Sequence, residues 1–356
     1  MRGISVLSLS VVGLAVASLA AAPGGAFAAV ATAPTTASCS VSAAGAIGGS
    51  FISPYSVYGA SAARLDTMFA NMKTSGMNTA ILQWTGYRYG DGSVATTYQA
   101  SPGTGFGQWD DSLPRVVAAA KKAGVALWVG LLVSPEVLDD ASTNTDAATL
   151  NDIADASIRL AADLRSRFGS DIAGWYIPVE PGLQSVNDAA RTSLHVGFYK
   201  RITDGLRGLP QRVPVLGSPA VARAIEANLT GVQFVQMFEP FFAGSGVDTW
   251  ALQDGFKMTG WSPADNAALV STGTSLAAVY GVTVWADVYT PGPGEANFPT
   301  SPSALAADLT ALKKTGVPIV SFTFDTAMNA DPALADASDR RALADGYAAY
   351  CRPIAQ

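Results

Sequence analysis

The sequence predicts an α/β protein that folds as a single (β/α)8 TIM barrel. Two observations lead to this prediction. The same helix-to-strand junction recurs four times, and eight short apolar segments begin near residues 47, 78, 126, 172, 213, 247, 282 and 318. These segments begin 31 to 48 residues apart, so each gap has room for a loop and a helix. An open doubly wound sheet is the alternative, but no Gly-x-Gly-x-x-Gly motif follows a strand.

Each junction places a glycine between a helix and a strand. In three of the four, lysines precede the glycine, where their charge favours the negative end of the helix dipole. Glycine then adopts the left-handed backbone that ends a helix. The apolar run that follows is typical of parallel strands buried on both faces. The four glycines are Gly76, Gly124, Gly281 and Gly316.

The predicted elements place the candidate site. We predict strands over 47–53, 78–84, 126–132, 172–179, 213–217, 247–252, 282–288 and 318–324, and helices over 61–74, 113–123, 150–168 and 302–315. Functional residues of such barrels lie at the C-terminal ends of the strands. We therefore take the polar residues that follow each strand as candidates.

The N-terminal residues have the pattern of a secretory signal peptide. Arg2 precedes an apolar run over 4–22, and an Ala-x-Ala cleavage site follows at 26–28. An uncleaved membrane anchor is the alternative, because the run approaches the ~20 residues that span a bilayer. We therefore predict a secreted protein with no membrane segment after cleavage. The predicted organisation is a signal peptide over 1–28, a flexible lead-in over 29–44 and one domain over 45–356.

The chain has two cysteines, Cys39 in the lead-in and Cys351 near the C-terminus. An even number of cysteines in an exported chain favours a disulfide. We predict that Cys39 and Cys351 form one, which would tie the two ends of the domain together. Two free thiols are the alternative, and a lipid-anchored Cys39 fits less well because it lies far from the apolar run.

Composition excludes several kinds of chemistry. Only 14% of the residues are charged, and counting along the sequence gives 23 Asp, five Glu and one His. A zinc site of the usual His/Cys kind lacks ligands, so we expect no metal and no cofactor. With a net charge of −6 and no long basic run, nucleic-acid binding is not expected. We expect a monomer whose acid–base groups are carboxylates.

Glu180 is the strongest catalytic candidate, because it follows an apolar strand and precedes a proline. A partly buried Glu there would have a raised pKa, which suits a general acid. A structural carboxylate bonded to loop amides is the alternative. Glycoside hydrolysis needs a second carboxylate. We rank Asp287 first, at the end of strand seven, and Asp254 second, although Asp254 equally fits a turn-capping role. Asp325 is a further candidate with the same structural alternative. Glu295 lies in a Pro/Gly-rich loop and is best explained as exposed.

Several residues at the strand ends are suited to bind a sugar. Aromatic rings can stack on the C–H faces of sugar rings, while Gln and Asp side chains hydrogen-bond sugar hydroxyls. The candidates are Gln83, Trp84, Tyr87, Tyr176, Gln253, Tyr289 and Asp325. His195 is flanked by Leu194 and Val196 in a predicted helix, so we interpret it as structural.

Several short blocks resemble one known family. They are GSFISP (49–54), ILQWT (81–85), GWYIPVE (174–180), SP (218–219), QDG (253–255) and WAD (285–287). In this order they resemble a family of secreted bacterial barrel proteins, the domain of unknown function DUF4434, which is similar to glycoside hydrolases. The resemblance covers most of 46–330. It implies a glycosidase-like (β/α)8 fold with Glu180 in the cleft beside a Gln253–Asp254 pair.

One departure from the family pattern affects the predicted mechanism. The family's strand-seven block, Trp-Ala-x-x-Glu, has Glu where this chain has Tyr289. If that Glu is the second carboxylate, this chain must use Asp287 or Glu295, or be catalytically weak. The larger glycosidase clan with acids on strands four and seven has Asn-Glu before the strand-four proline, whereas this chain has Val179-Glu180.

Together these features predict a secreted glycoside hydrolase-like enzyme that cleaves a polysaccharide or glycoconjugate. Glu180 would be the general acid/base and Asp287 the nucleophile or second base. Asp254 is the alternative candidate for the second carboxylate. Gln83 and Gln253 would bind hydroxyls. The alternative is a non-catalytic carbohydrate-binding barrel, which Tyr289 favours. A structural envelope protein without a deep pocket is a third, weaker interpretation.

Overall fold

In the computed structural model, eight parallel strands close into a barrel, which confirms the predicted fold class. The structure describes residues 45–134, 146–221, 228–254, 261–291, 300–334 and 336–352. Its strands are β1 (Ile47–Ile52), β2 (Thr79–Leu82), β3 (Gly86–Arg88), β4 (Val94–Thr96), β5 (Gly107–Gln108), β6 (Ala126–Gly130), β7 (Leu132–Val133), β8 (Ile172–Tyr176), β9 (Val215–Gly217), β10 (Thr249–Gln253), β11 (Thr283–Tyr289) and β12 (Ile319–Phe322). The barrel order is β1-β12-β11-β10-β9-β8-β6-β2.

Helices surround this barrel and alternate with its strands along the chain. They are α1 (Pro54–Val57), α2 (Ala62–Thr74), α3 (Leu113–Ala123), α4 (Ala147–Phe168), α5 (Leu183–Val186), α6 (Ala189–Arg207), α7 (Gly231–Met237), α8 (Glu239–Gly244), α9 (Pro263–Ala278), α10 (Pro302–Leu312), α11 (Phe324–Ala327) and α12 (Ala337–Cys351). All four predicted helices are present. The third begins earlier than predicted, because the Asp146 side chain accepts a hydrogen bond from the Thr149 amide and caps α4 at Ala147.

The recurring junction has the predicted geometry. Gly76, Gly124, Gly281 and Gly316 all have positive φ, between +66° and +85°. At Gly124 the amide donates to carbonyls in the last turn of α3, and the left-handed residue ends the helix. The sequence pattern therefore identified real helix ends.

The barrel has two apolar layers separated by its sheet. The interior is filled by alternate residues of the strands, namely Phe51, Ile81, Trp128, Tyr176, Leu216, Ala251 and Val320. Edge-to-face ring pairs, such as Phe51 with Tyr176 at a centroid distance of 5.1 Å, contribute to this packing. The remaining alternate residues face the helices and form the larger outer core. A packed interior leaves the mouth of the barrel as the place for a site.

A second, small sheet lies in the connection between β2 and α3 and was not predicted. Its strands are ordered β5-β4-β3-β7, with β3 and β4 antiparallel. The Trp109 amide donates to the Thr96 carbonyl at 2.8 Å and holds the end of β5 against β4. The only sequence signal was the 48-residue spacing between the second and third predicted strands.

The described ends of the domain meet beside the first barrel strand. The Ile47 amide donates to the Tyr347 hydroxyl of α12 at 2.7 Å, and Cys351 is buried four residues further on. The predicted signal peptide, the lead-in and Cys39 lie outside the described residues. In the described part of the chain, no helix has the length and apolar character needed to cross a membrane.

We predict that the exported protein contains a Cys39–Cys351 disulfide. Thiol labelling of the denatured, unreduced protein should detect no free thiol, and reduction should release two. Cys351→Ala should lower the free energy of unfolding by about 2–5 kcal/mol, because the unfolded chain loses its cross-link. Two labelled thiols before reduction would contradict the prediction.

A second prediction concerns the contact between β6 and β2. A Cβ added at Gly130 would lie 1.9 Å from the Gln83 carbonyl oxygen. Gly130→Ala should therefore lower the free energy of unfolding by about 3 kcal/mol or more. The control is Gly197→Ala in α6, where an added Cβ meets nothing within 4 Å. This substitution should raise the free energy of unfolding by ~0.5–1 kcal/mol. Equal free energies of unfolding for the Gly130→Ala and Gly197→Ala variants, measured in urea, would contradict this prediction.

Candidate functional site

Polar residues line the C-terminal mouth of the barrel because side chains alternate along each strand. Interior positions of β2, β10 and β11 are each followed two residues later by a polar residue, namely Gln83, Gln253 and Asp287. Residues two apart face the same side of a sheet. Gln253 and Asp287 are direct partners in the β10–β11 ladder. The pleat thus directs these three predicted site residues into the mouth.

Asp287 is a carboxylic acid in a strongly desolvated position, with 2% of its surface exposed. Its Oδ1 has no hydrogen-bond partner among the residues that the structure describes. Burial raises the pKa of Asp287 well above the ordinary value, and the charges of Asp254 and Glu180 raise it further. Asp287 therefore keeps its proton to a higher pH than an ordinary aspartate does.

Asp254 follows β10 directly and is also buried. Its amide donates to the backbone carbonyl of Asp287 at 2.8 Å, which continues the β10–β11 ladder by one residue. This bond places the backbones of the two residues side by side on adjacent strands. Residues 255–260 lie outside the described ranges, so the turn-capping alternative for Asp254 stays open.

Glu180 reaches the same region from β8. It lies four residues beyond the interior Tyr176 and is half-buried. Burial raises the pKa of the Tyr176 hydroxyl, and the charges of Glu180 and Asp287 contribute to the shift. The Tyr199 hydroxyl of α6 donates to the Val179 carbonyl and so positions the backbone next to Glu180.

The structure therefore brings together the three predicted catalytic carboxylates. Glu180 and Asp254 follow β8 and β10, and the charges of both act on Asp287 of β11. Within the described ranges, no three His, Cys, Asp or Glu side chains converge closely enough to hold a metal ion. The arrangement can donate and accept protons around a ligand in the mouth.

Asp325 was predicted to bind substrate, but its contacts favour a structural role. It is 2% exposed, and its Oδ1 accepts a hydrogen bond from the Ser53 amide at 3.2 Å. Burial raises its pKa to about 6, although hydrogen bonds from Ser56 and Ser53 lower it. Asp325 thus joins the start of α11 to the turn after β1.

Tyr289 occupies the strand-seven position where the family pattern has Glu. Its ring stacks on Phe322 of β12 at a centroid distance of 6.2 Å and an interplanar angle of 27°. It is two residues beyond Asp287 and shares its face of β11. An aromatic ring contact therefore lies at this position, two residues beyond Asp287.

Six aromatic side chains form a continuous cluster beside β1 and β2, which we call the aromatic platform. Neighbouring ring centroids are 4.7–5.9 Å apart. The members are Tyr55, Tyr58, Trp84, Tyr87, Tyr89 and Trp109. Their contacts confirm that the aromatics after strand two come together.

The platform corrects the prediction that Trp84 offers its ring to a sugar. Trp84 is only 6% exposed, because Trp109 stacks on it at 5.4 Å with an interplanar angle of 17°. The faces open to solvent belong instead to Tyr55, Tyr89 and Trp109, which are 66%, 42% and 42% exposed. Tyr55 and Trp109 were not among the binding candidates chosen from the sequence, because their approach to Trp84 depends on α1 and the unpredicted small sheet.

The remaining titratable candidates have local explanations or lie outside the described residues. His195 is buried in α6, its Nδ1 lies 2.9 Å from Ser185 Oγ, and burial lowers its pKa to about 4. These contacts agree with the structural interpretation. Glu239 begins α8 and accepts a hydrogen bond from the Tyr280 hydroxyl. Glu136, Glu226 and Glu295 fall on residues that are not described.

Solved structures with a similar fold include several glycoside hydrolases. A putative α-L-fucosidase from Bacteroides thetaiotaomicron aligns with a TM-score of 0.67 and 18% identity, covering 91% of this chain and 99% of that one. An endo-β-1,4-mannanase from Thermotoga petrophila aligns with a TM-score of 0.56 and 10% identity, covering 89% of this chain and 78% of that one. A broad-specificity endoglucanase from Clostridium acetobutylicum aligns with a TM-score of 0.53 and 10% identity, covering 82% of this chain and 89% of that one. At these identities the similarity establishes the fold alone.

Sequence comparison identifies the family directly. No curated protein matches the sequence closely enough to count as a relative. The sequence profile of one family matches residues 47–336, which span the whole barrel from β1 to β12. The chain therefore belongs to the family described as a domain of unknown function, DUF4434.

Proposed function

We propose that this protein is a secreted glycoside hydrolase that cleaves a polysaccharide or glycoconjugate. The observation that carries the proposal is the buried Asp287 beside Glu180 and Asp254 at the mouth of the barrel. A carboxyl group that keeps its proton, close to a second carboxylate, is the requirement for acid-catalysed cleavage of a glycosidic bond. The glycosidase-like fold supports the proposal.

The geometry favours a different division of roles from the one expected from the sequence. Burial and two neighbouring charges raise the pKa of Asp287, so Asp287 is better suited than Glu180 to hold the proton. Asp287 would protonate the glycosidic oxygen as the bond to the anomeric carbon breaks. The less buried Glu180 would act as the carboxylate that attacks that carbon or deprotonates water.

Neutral polar groups would orient the sugar. Gln83 and Gln253 both lie half-buried at the mouth, where their amides can donate to and accept from hydroxyls. Asp254, held beside Asp287 by its backbone bond, keeps the local potential negative. An oxocarbenium-like transition state carries positive charge, so this potential would stabilise it.

A non-catalytic carbohydrate-binding barrel is the second candidate function. The observation that favours it is Tyr289, which lies on Phe322 where the family pattern has a carboxylate. Such a protein would bind glycans in the same mouth without turnover. Assays that measure both binding and the release of reducing sugar separate the two.

The catalytic assignment predicts that Glu180→Gln and Asp287→Asn each lower turnover about 10²–10⁴-fold, because each removes proton transfer or nucleophilic attack. Release of reducing sugar from a panel of polysaccharides and aryl glycosides measures this. Glu239→Gln is the matched control, since Glu239 lies on the outer helix α8 and should have no effect. Full activity in Glu180→Gln would refute its role, and glycan binding without turnover by the wild type would favour the binding protein.

The raised pKa of Asp287 also predicts a pH-dependent stability difference. An acid whose pKa is higher in the folded state loses stability as pH rises from its unfolded value, near 4, towards the folded value, by up to ~1.4 kcal/mol per pH unit. Asn is neutral throughout, so Asp287→Asn should gain stability relative to the wild type as pH rises. Melting temperatures at pH 4.5 and 7.5 measure this, and an equal difference at both values would contradict it.

A further inference from the structure

We infer that the aromatic platform binds a second stretch of the glycan chain that is cleaved at the carboxylates, so the substrate is a polymer rather than a terminal sugar. This inference rests on the proposed function and narrows its substrate to a polymeric glycan. It depends on the exposure of the platform, its rigidity and its separation from the carboxylates.

The platform is the main exposed apolar surface of the described chain. Five large hydrophobic side chains are exposed among the described residues, and three of them, Tyr55, Tyr89 and Trp109, belong to it. Contiguous exposed aromatic surface marks an interaction site more reliably than single exposed residues do. The flat faces of Trp and Tyr rings match the apolar C–H faces of sugar rings.

The exposed rings are held in place by contacts with the buried rings of the platform. Trp109 lies on the buried Trp84, and the ring of Tyr58 contacts both at centroid distances of 4.7 and 5.8 Å. Tyr55 meets Tyr58 and Trp84 edge-on. The rings therefore lose little conformational entropy when a ligand stacks on them.

The platform and the carboxylates are separated around the mouth. In the barrel order, β8 is two strands from β2 and β11 is two strands from β1, so Glu180 and Asp287 lie at least a quarter-turn from the strands that carry the platform. Asp254 follows β10, which lies opposite β2. Eight strands spaced ~4.8 Å apart and tilted ~36° enclose a barrel about 15 Å in diameter. Strands a quarter-turn apart on such a barrel are separated by about 10 Å, so one sugar ring cannot contact both the platform and the catalytic carboxylates, whereas several linked sugars can.

The test uses Glu180→Gln, so that a bound polymer is not hydrolysed. Affinity electrophoresis in gels containing galactomannan, mixed-linkage β-glucan, arabinoxylan or pullulan should show retardation by at least one polymer. Adding Trp109→Ala or Tyr55→Ala should weaken this retardation about tenfold or more, as expected for aromatic residues central to an interface. In the active protein, which retains Glu180, Trp109→Ala should raise KM for that polymer and change kcat much less.

Tyr280→Ala is the matched control. Tyr280 is 41% exposed, but it precedes β11 at the opposite end of the barrel, so its loss should leave retardation unchanged. The inference is overturned if no polymer retards the protein, or if the platform variants bind as tightly as their parent. It is also overturned if Trp109→Ala changes the sedimenting mass, since the surface would then join two copies. Retardation lost in Trp109→Ala, with no hydrolysis by the wild type, would support polymer binding and refute the proposed function alone.

Discussion

Closure of the barrel at the seam between its first and last strands is the constraint on which the site depends. Ser50 of β1 is fully buried, and its hydroxyl donates to the Ser321 carbonyl of β12 and accepts from the Phe324 amide. One side chain therefore joins both strands and fixes the start of α11. Asp325 continues the seam to the turn after β1. A closed barrel has no unpaired strand edge, and it holds all eight strand ends around one mouth.

Two contributions to the free energy of folding oppose each other at the mouth. The interior below it is apolar and well packed, whereas Asp287 lies buried there close to two other acids. Burying an acid among like charges destabilises the folded chain. A chain with so little charge elsewhere concentrates its electrostatic strain at the point where a reaction would occur, which is the arrangement expected of an active site.

The site is also asymmetric around the barrel. The carboxylates come from β8, β10 and β11, and the aromatic rings come from the segments after β1, β2 and β5. The small sheet of β3, β4, β5 and β7 follows β2 and carries Tyr87, with Tyr89 and Trp109 just beyond its strands. A ligand in this mouth would therefore meet proton donors on one side and stacking surfaces on the other.

The order and the type of the elements could be predicted from the sequence. Apolar runs and glycine junctions are local, so all eight barrel strands and helices such as α3 could be predicted from neighbouring residues. The sequence also selected Glu180, Asp254 and Asp287 as candidates, because strand ends are visible in the pattern. The burial of Asp287, the stacking of Trp109 on Trp84 and the bond from Asp325 to the turn after β1 are apparent in the folded chain alone. Burial and ring contacts arise between segments far apart in the chain, and no local pattern encodes them.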